Sequence, residues 1–147
     1  ALAVEPAAGP VIFVCGRNAV RSPMAEALWR RRFGDAAAAL SCGVSPAAWP
    51  DGFMIAVMDE LGLDLSAFEC RGLDQLGGFC PARVISVAAE ADAQARRLAD
   101  RCGVPFEAWP APDPTLETGG RERRLEAYRA VRDGLVERIA RCELESR

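Results

Sequence analysis

Hydrophobic positions along the chain follow two alternating patterns. Short apolar runs, typical of buried strands, are separated by stretches in which apolar residues recur every three or four positions, as on one face of a helix. The runs predict strands at 11–14, 37–42, 82–88 and 104–109. The periodic stretches predict helices at 23–33, 51–61, 90–102 and 125–142, the last carrying the longest apolar stripe: Leu125, Tyr128, Val131, Leu135, Ile139 and Cys142.

Strands that alternate with helices of this length indicate βαβ units. We therefore expect a three-layer α/β/α fold with a four-stranded parallel sheet. The chain of 147 residues has the size of one ordinary domain, and we assign 11–147 to it, with no element predicted for 64–78. Residues 1–10 lack the basic start of a signal peptide, so they are not predicted to be one. We expect them to form a flexible tail.

Composition restricts the chemistry that is available. The 18 basic residues are all arginine, and histidine is absent, which excludes a histidine base, a histidine metal ligand and a lysine Schiff base. The net charge of −3 argues against binding to nucleic acid or to acidic membranes, and no apolar run is long enough to span a bilayer. The six cysteines form no CxxC pair, so we expect no metal site and a reducing, cytoplasmic location.

The segment CGRNAVRS, residues 15–22, carries the strongest chemical signal. It follows a predicted central strand, and Ser22 with Pro23 marks the start of a helix. A turn between a strand and a helix directs backbone N–H groups inward, and the helix dipole adds positive potential. Such a loop can hold a tetrahedral oxyanion, which the planar guanidinium of Arg21 would grip in a bidentate manner.

Cys15 at the floor of this loop would experience the same positive potential. Helix N-termini and cationic neighbours favour the thiolate of a cysteine, so Cys15 is a candidate nucleophile for phosphoryl transfer. Most of the catalysis would come from the loop amides and Arg21, which stabilise charge in the transition state. We expect Ser22 to donate its hydroxyl proton to the sulfur. The alternative is a buried structural thiol, with Ser22 acting only as a helix cap.

A phosphate ester needs a proton donor for its leaving oxygen, and a carboxylic acid is the obvious donor where histidine is absent. Asp113 in PAPDPT follows the last predicted strand, at the edge where parallel sheets bind their ligands. Taken alone, an Asp-Pro pair is more typical of a simple turn than of a catalytic acid.

Four segments, VIFVCGRNAVRSPMAEAL, LSCG, AVMDELGLDLS and WPAPDP, resemble the low-molecular-weight protein tyrosine phosphatases and their arsenate-reductase relatives. The resemblance implies flavodoxin-like winding, a cysteinyl-phosphate intermediate on Cys15, and Asp113 as general acid and then base. It implies that Ser41 braces the loop through Asn18. It also implies that phosphate is bound by Arg21 together with the loop residues Gly16, Arg17, Asn18, Ala19, Val20 and Ser22.

Some positions depart from the family pattern. Arg17 replaces a glycine and Val20 replaces a cysteine, so the protective disulfide of the loop is lost. Thr115 and Leu116 stand where an aromatic pair commonly follows the acid loop. Trp49 is a candidate aromatic wall for the pocket, although a tryptophan beside proline is more typical of packing.

Three functions follow as hypotheses. The first is a phosphomonoester hydrolase, acting on a phosphorylated protein or a small phosphomonoester without a cofactor. The second is a thiol-dependent arsenate reductase, but the thioredoxin-coupled relatives use two further cysteines after the third strand, and residues 88–101 contain none. The third is a non-catalytic phospho-ligand sensor. Cys80 and Cys102 are expected to be buried thiols, and the sequence assigns no role to Cys42, Cys70 or Cys142 and no oligomeric state.

Overall fold

The computed structural model of the chain describes residues 9–34 and 38–145. Its strands are β1 Val11–Cys15, β2 Ala39–Gly43, β3 Arg83–Ser86 and β4 Phe106–Ala108. Its helices are α1 Arg21–Phe33, α2 Gly52–Asp59, α3 Asp92–Cys102 and α4 Arg121–Glu145. Short 3₁₀ turns occur at Leu73–Leu76, Ala89–Ala91 and Pro114–Leu116.

All four strands are parallel and lie in the order β2-β1-β3-β4. The Phe13 ring packs 5.7 Å from that of Trp29 in α1. Val14, the next residue of β1, is in register with Ser86 of β3. The Ser86 hydroxyl lies 2.6 Å from a carboxylate oxygen of Asp92 in α3. Since successive strand residues point to opposite faces, α1 and α3 cover opposite faces of the sheet. The predicted α/β/α fold with a four-stranded parallel sheet is confirmed.

The predicted elements differ from the structure mainly at their ends. Strand 104–109 shortens to Phe106–Ala108, and the first turn of helix 90–102 is a separate 3₁₀ turn at Ala89–Ala91. The untyped segment 64–78 contains only the 3₁₀ turn at 73–76. Most of the predicted tail, residues 1–8, and position 37 of the second predicted strand lie outside the described residues.

The apolar stripe of α4 is buried, as its periodicity predicts. Helix α4 packs against both α1 and α2, so these three helices form one layer. In residues 9–34 and 38–145, no helix is long and apolar enough to cross a membrane.

One expectation about the cysteines is wrong. Cys80 and Cys102 form a disulfide, with their Cα atoms 5.5 Å apart, and Cys80 is exposed. The chain enters β3 just after Cys80 and leaves α3 at Cys102, and the helix runs back across the sheet, so both residues lie at the amino edge of the strands. Cys15 ends β1 at the opposite, carboxyl edge. The disulfide also differs from the reduced thiols expected for a cytoplasmic protein.

Candidate active site

Cys15 is the last residue of the central strand, and the loop that follows leads into α1 at Arg21. Cys15 is 2% exposed. The backbone N–H of Asn18 donates to Cys15 Sγ over 3.2 Å. The Ser22 hydroxyl lies 2.9 Å from the same sulfur. The loop therefore directs one amide and one hydroxyl at the predicted nucleophile.

Asn18 holds the loop in shape from inside. Its φ of 55° is left-handed, a conformation that asparagine tolerates better than most residues. Its amide nitrogen donates to the hydroxyls of Ser22, at 2.8 Å, and Ser41, at 3.0 Å. Its side-chain oxygen accepts from the backbone N–H of Arg71, at 2.7 Å. The pairing of Asn18 with Ser41, implied by the family resemblance, is present.

Strand β2 and the segment after it support the loop from outside. An ideal Cβ on Gly43 would lie 2.6 Å from Asn18 N and 2.7 Å from the carbonyl carbon of Arg17. Only glycine allows this close approach of two backbones. The carbonyls of Cys15, Gly16 and Arg17 accept hydrogen bonds from the amides of residues 44, 45 and 47, which holds these oxygens away from the sulfur. The sequence interpretation missed Gly43.

Arg21 begins α1 and is buried. One guanidinium nitrogen donates to the carbonyl of Ala111 over 3.0 Å, and another forms an ion pair with Glu90. The Glu90 side chain is 52% exposed and follows β3. The pair fixes the guanidinium at the edge of the loop. Glu90 was not predicted, although a carboxylate just after a strand at the ligand-binding edge is a recognisable signal.

Cys15, Arg21 and Glu90 meet at a cleft of about 340 Å³, which Asn18 and Ser22 do not line. Trp49 lines the cleft and is 78% exposed, so the packing interpretation of Trp49 does not hold. Gly16 does not line the cleft, and its ideal Cβ would lie 3.1 Å from the Glu90 carboxylate. The lining residues are Cys15, Arg17, Ala19, Val20, Arg21, Ala47, Trp49, Asp51, Glu90, Asp113 and Thr115.

Asp113 and Asp51 are two lining carboxylates with different surroundings. Asp51 caps α2 through the amides of Phe53 and Met54, and its second oxygen accepts from the Tyr128 hydroxyl over 2.9 Å. Asp113 is half-buried, and its Oδ1 accepts from the amide and hydroxyl of Thr115. Among the described residues, its Oδ2 accepts no hydrogen bond. Asp113 is therefore the better placed of the two for proton transfer to a ligand.

Two other ionisable groups near the cleft are held neutral. Burial, followed by the hydrogen bond to Asp51, raises the pKa of Tyr128 well above its ordinary value. Burial and then the nearby Cys15 raise the pKa of Cys42 to about 12. Cys42 is therefore a neutral thiol at physiological pH and does not compete with Cys15 as a nucleophile.

Comparison with known proteins identifies the family of the chain. The family model of the low molecular weight phosphotyrosine protein phosphatases fits residues 10–142. The chain belongs to this family. Its members are cysteine-dependent enzymes that act on phosphorylated substrates, and Cys15 lies in the expected region.

Relatives within and around the phosphatase family carry two kinds of activity. The glutaredoxin arsenate reductase of Synechocystis sp. is 30% identical over 140 residues, which span 88% of this chain and 92% of that protein. The structure of an arsenate reductase in its oxidized state matches with a TM-score of 0.75 and 26% identity, over 90% of this chain and 95% of the other. The tyrosine phosphatase AmsI of Erwinia amylovora shares the fold, with a TM-score of 0.75 and 17% identity, over 94% and 93% of the chains.

Proposed function

We propose that the chain is a phosphomonoester hydrolase and, most simply, a protein tyrosine phosphatase. The observation that carries the proposal is the convergence on one cleft of Cys15 Sγ, the Arg21 guanidinium and the Asp113 carboxyl group. The resemblance to this family implies that the three groups act as nucleophile, anion clamp and proton donor.

In the first step, Cys15 Sγ attacks phosphorus and the bond to the leaving oxygen breaks. Asp113, in its protonated form, gives its proton to that oxygen, a contribution of about 10² to 10⁴ in rate. Arg21 and the amides of residues 16–20 hold the equatorial oxygens, where preorganised donors stabilise the developing charge. The ion pair with Glu90 keeps the guanidinium in place while the substrate enters.

In the second step, water attacks the cysteinyl phosphate and the sulfur–phosphorus bond breaks. Asp113, now ionised, accepts a proton from the water. Ser22, whose hydroxyl lies 2.9 Å from Sγ, donates to the sulfur as it leaves as a thiolate.

The wall of the cleft favours an aromatic substrate. Trp49 is exposed and lines the cleft beside the loop that binds phosphate, and its face is available to stack on a phenyl ring. Thr115 lines the side where many family members have an aromatic residue. Trp49 would therefore be the main aromatic contact of phosphotyrosine.

Arsenate reduction is the second candidate, supported by the 30% identity to the Synechocystis reductase. Arsenate would form an adduct with Cys15 in the same cradle, and a thiol from outside the protein, such as glutathione, would supply the electrons. A relay through Cys80 and Cys102 is not available, because their disulfide lies at the opposite edge of the sheet from Cys15.

Hydrolysis of p-nitrophenyl phosphate tests the phosphatase proposal. We expect Cys15→Ser to abolish turnover and Asp113→Ala to lower kcat by about 10² to 10⁴, whereas Asp100→Asn, an exposed carboxylate of α3, keeps the wild-type rate. Wild type that is no faster than Cys15→Ser but binds phosphate would instead support the sensor hypothesis. Arsenate reduction, assayed with glutathione and glutaredoxin and separately with thioredoxin, tests the second candidate.

A further inference from the structure

Arg17 and Arg21 both line the cleft, but they differ in what they contact. Arg21 is buried and is bonded to the Ala111 carbonyl and the Glu90 carboxylate. Arg17 is exposed, and within the part of the chain that the structure describes its guanidinium has no hydrogen-bond or ion-pair partner. The cleft therefore has a second cation that is available to a ligand.

Arg17 lies on the side of the loop that faces β2. Its carbonyl accepts a hydrogen bond over 2.9 Å from the backbone N–H of Ala47, which belongs to the same segment after β2 as Trp49. Burial raises the pKa of Cys70, whereas the positive charge of Arg17 lowers it, so the guanidinium lies near that thiol. Cys70 comes two residues before the bridge that joins its segment to the end of β2. Arg17 and Trp49 therefore belong to the same side of the cleft.

The carboxylates of the cleft do not neutralise this side. The strand order is β2-β1-β3-β4, so Glu90, which follows β3, and Asp113, which follows β4, lie across β1 from the β2 side. Asp51 comes from the segment after β2, but its two oxygens accept hydrogen bonds from amides of α2 and from a hydroxyl of α4. A ligand anion beside Arg17 would therefore meet a cation that no carboxylate of the cleft has paired.

A guanidinium matches a carboxylate in shape as well as in charge. Its planar fork can donate two parallel hydrogen bonds to the two carboxylate oxygens, which a point charge cannot do. The net charge of the whole chain is −3, and this charge alone would repel an acidic peptide. A preference for acidic substrates would therefore have to come from a local cation such as Arg17.

We propose that Arg17 is a specificity-determining residue that selects phosphotyrosine peptides with an acidic residue beside the phosphotyrosine. The phosphate would lie in the loop, the phenyl ring on Trp49 and the neighbouring carboxylate on the Arg17 guanidinium. This inference rests on the proposed function, because it names the substrate class of the same site. Charges at the rim of a binding site act more on the choice of partner than on raw affinity, so the effect is expected in the ratio between two substrates.

Hydrolysis of three capped pentapeptides measures this selection. One carries phosphotyrosine among alanines, and the other two carry a glutamate directly before or directly after the phosphotyrosine. The blocked ends add no charge. We expect wild type to hydrolyse at least one glutamate peptide with a kcat/KM about three- to tenfold above that of the alanine peptide, the effect of one charged hydrogen-bonded pair at a partly exposed site. This preference should shrink in about 1 M salt, where the Debye length is about 3 Å.

Substitution of Arg17 tests its part in the preference. Arg17→Gln should lower the ratio of the two kcat/KM values to about one or below, and Arg17→Glu should reverse the preference. The ratio cancels any effect of the substitution on the phosphate, which every peptide carries. Arg97→Gln removes an equal charge from the exposed face of α3 and should keep the wild-type ratio. The proposal is overturned if wild type treats the three peptides alike, if Arg17→Gln keeps the preference, or if Arg97→Gln abolishes it.

Peptide binding to Cys15→Ser separates this inference from the proposed function. The variant lacks the nucleophile, so its affinity for the same peptides, measured by isothermal titration calorimetry, reports selection without turnover. Selective binding by a protein that hydrolyses none of the peptides would refute the phosphatase proposal and support the role of Arg17. Hydrolysis of all three peptides at equal rates would do the reverse. A protein that neither binds nor hydrolyses any of them would overturn both proposals.

Discussion

Among single residues, Gly43 allows a test of whether the loop 15–22 depends on the close approach of the β2 backbone. An alanine there would place Cβ 2.6 Å from Asn18 N, and since the three nearest atoms are all backbone atoms of residues 16–18, the loop must move. We expect Gly43→Ala to lower kcat/KM for p-nitrophenyl phosphate at least about tenfold and the free energy of unfolding by about 1–3 kcal/mol, measured by urea titration.

The matched control is Gly134→Ala, in the middle of α4, where an added Cβ meets nothing within 4 Å beyond the neighbouring backbone of the helix. That change should keep the activity and add about 0.5–1 kcal/mol of stability, because alanine favours the helix. Wild-type activity in Gly43→Ala would show that the loop does not depend on this close approach.

Cys42 provides a residue-scale prediction about reactivity. It is fully buried, and its pKa is raised to about 12. A pKa above the working pH leaves the neutral thiol, so at pH 8 only about one Cys42 side chain in ten thousand would be a thiolate. We expect pulse labelling with iodoacetamide at pH 8 to modify Cys15 and spare Cys42 in the folded protein. Labelling of both cysteines at similar rates would show that Cys42 is not a buried thiol with a raised pKa.

At the scale of elements, the Cys80–Cys102 disulfide joins the start of β3 to the end of α3. It closes a loop with a sequence separation of 22 residues, and a cross-link of this length stabilises a fold by about 3 kcal/mol through the entropy of the unfolded chain. We expect the double variant Cys80→Ser/Cys102→Ser to lose about this much in urea unfolding. Its turnover should stay at the wild-type level, because the bond is remote from Cys15.

Thiol titration under denaturing conditions checks the bond itself. Cys15, Cys42, Cys70 and Cys142 carry thiols outside this disulfide, so the unreduced protein should titrate as four thiols and the reduced protein as six. Equal numbers of titrated thiols before and after reduction would show that the disulfide is not formed. An unchanged free energy of unfolding in the double variant would show that it does not stabilise the fold.

The elements themselves were predictable because their signals are local. Apolar runs, the Ser22–Pro23 start and the stripe of α4 each lie in one stretch of chain. The ends were less predictable, since pairing with a neighbour decides them. For example, β4 pairs with β3 over only three residues, from Phe106 to Ala108.

The same distinction applies to the site. Residues 15–22 were predictable because the loop is contiguous, and Asp113 because it follows a strand. Glu90 escaped prediction because the sequence assigned it to the first turn of the helix 90–102, whereas it lies in the separate 3₁₀ turn Ala89–Ala91, with its carboxylate paired to Arg21. Arg71 acts on Asn18 through a backbone N–H, a role that no residue type reveals. The spacing of Cys80 and Cys102 likewise gives no pairing signal, because the turn of the chain between β3 and α3 brings them together.

At the scale of the whole molecule, α4 holds in place the wall of the cleft that precedes α2. No described residue of α4 lines the cleft itself. Tyr128 of α4 bonds Asp51 at the start of α2. At the other end of α2, Glu60 accepts hydrogen bonds from Arg129 and Arg132, at distances between 2.7 and 3.1 Å. Both ends of α2 are thus attached to α4, and the cleft residues just before α2 depend on that attachment.

Acid unfolding tests the Glu60 attachment. The hydrogen bonds from Arg129 and then Arg132 lower the pKa of Glu60 from 4.5 to about 2. Because the folded state has the lower pKa, the carboxylate stabilises the fold above about pH 4.5, and this contribution is lost as the pH falls towards 2. We expect Glu60→Gln to be less stable than wild type at pH 7 and to lose less stability between those two pH values, measured by urea unfolding. Glu137→Gln, on the exposed side of α4, should show the same change in the free energy of unfolding with pH as wild type. Equal changes in all three proteins would show that Glu60 is not paired with these arginines in solution.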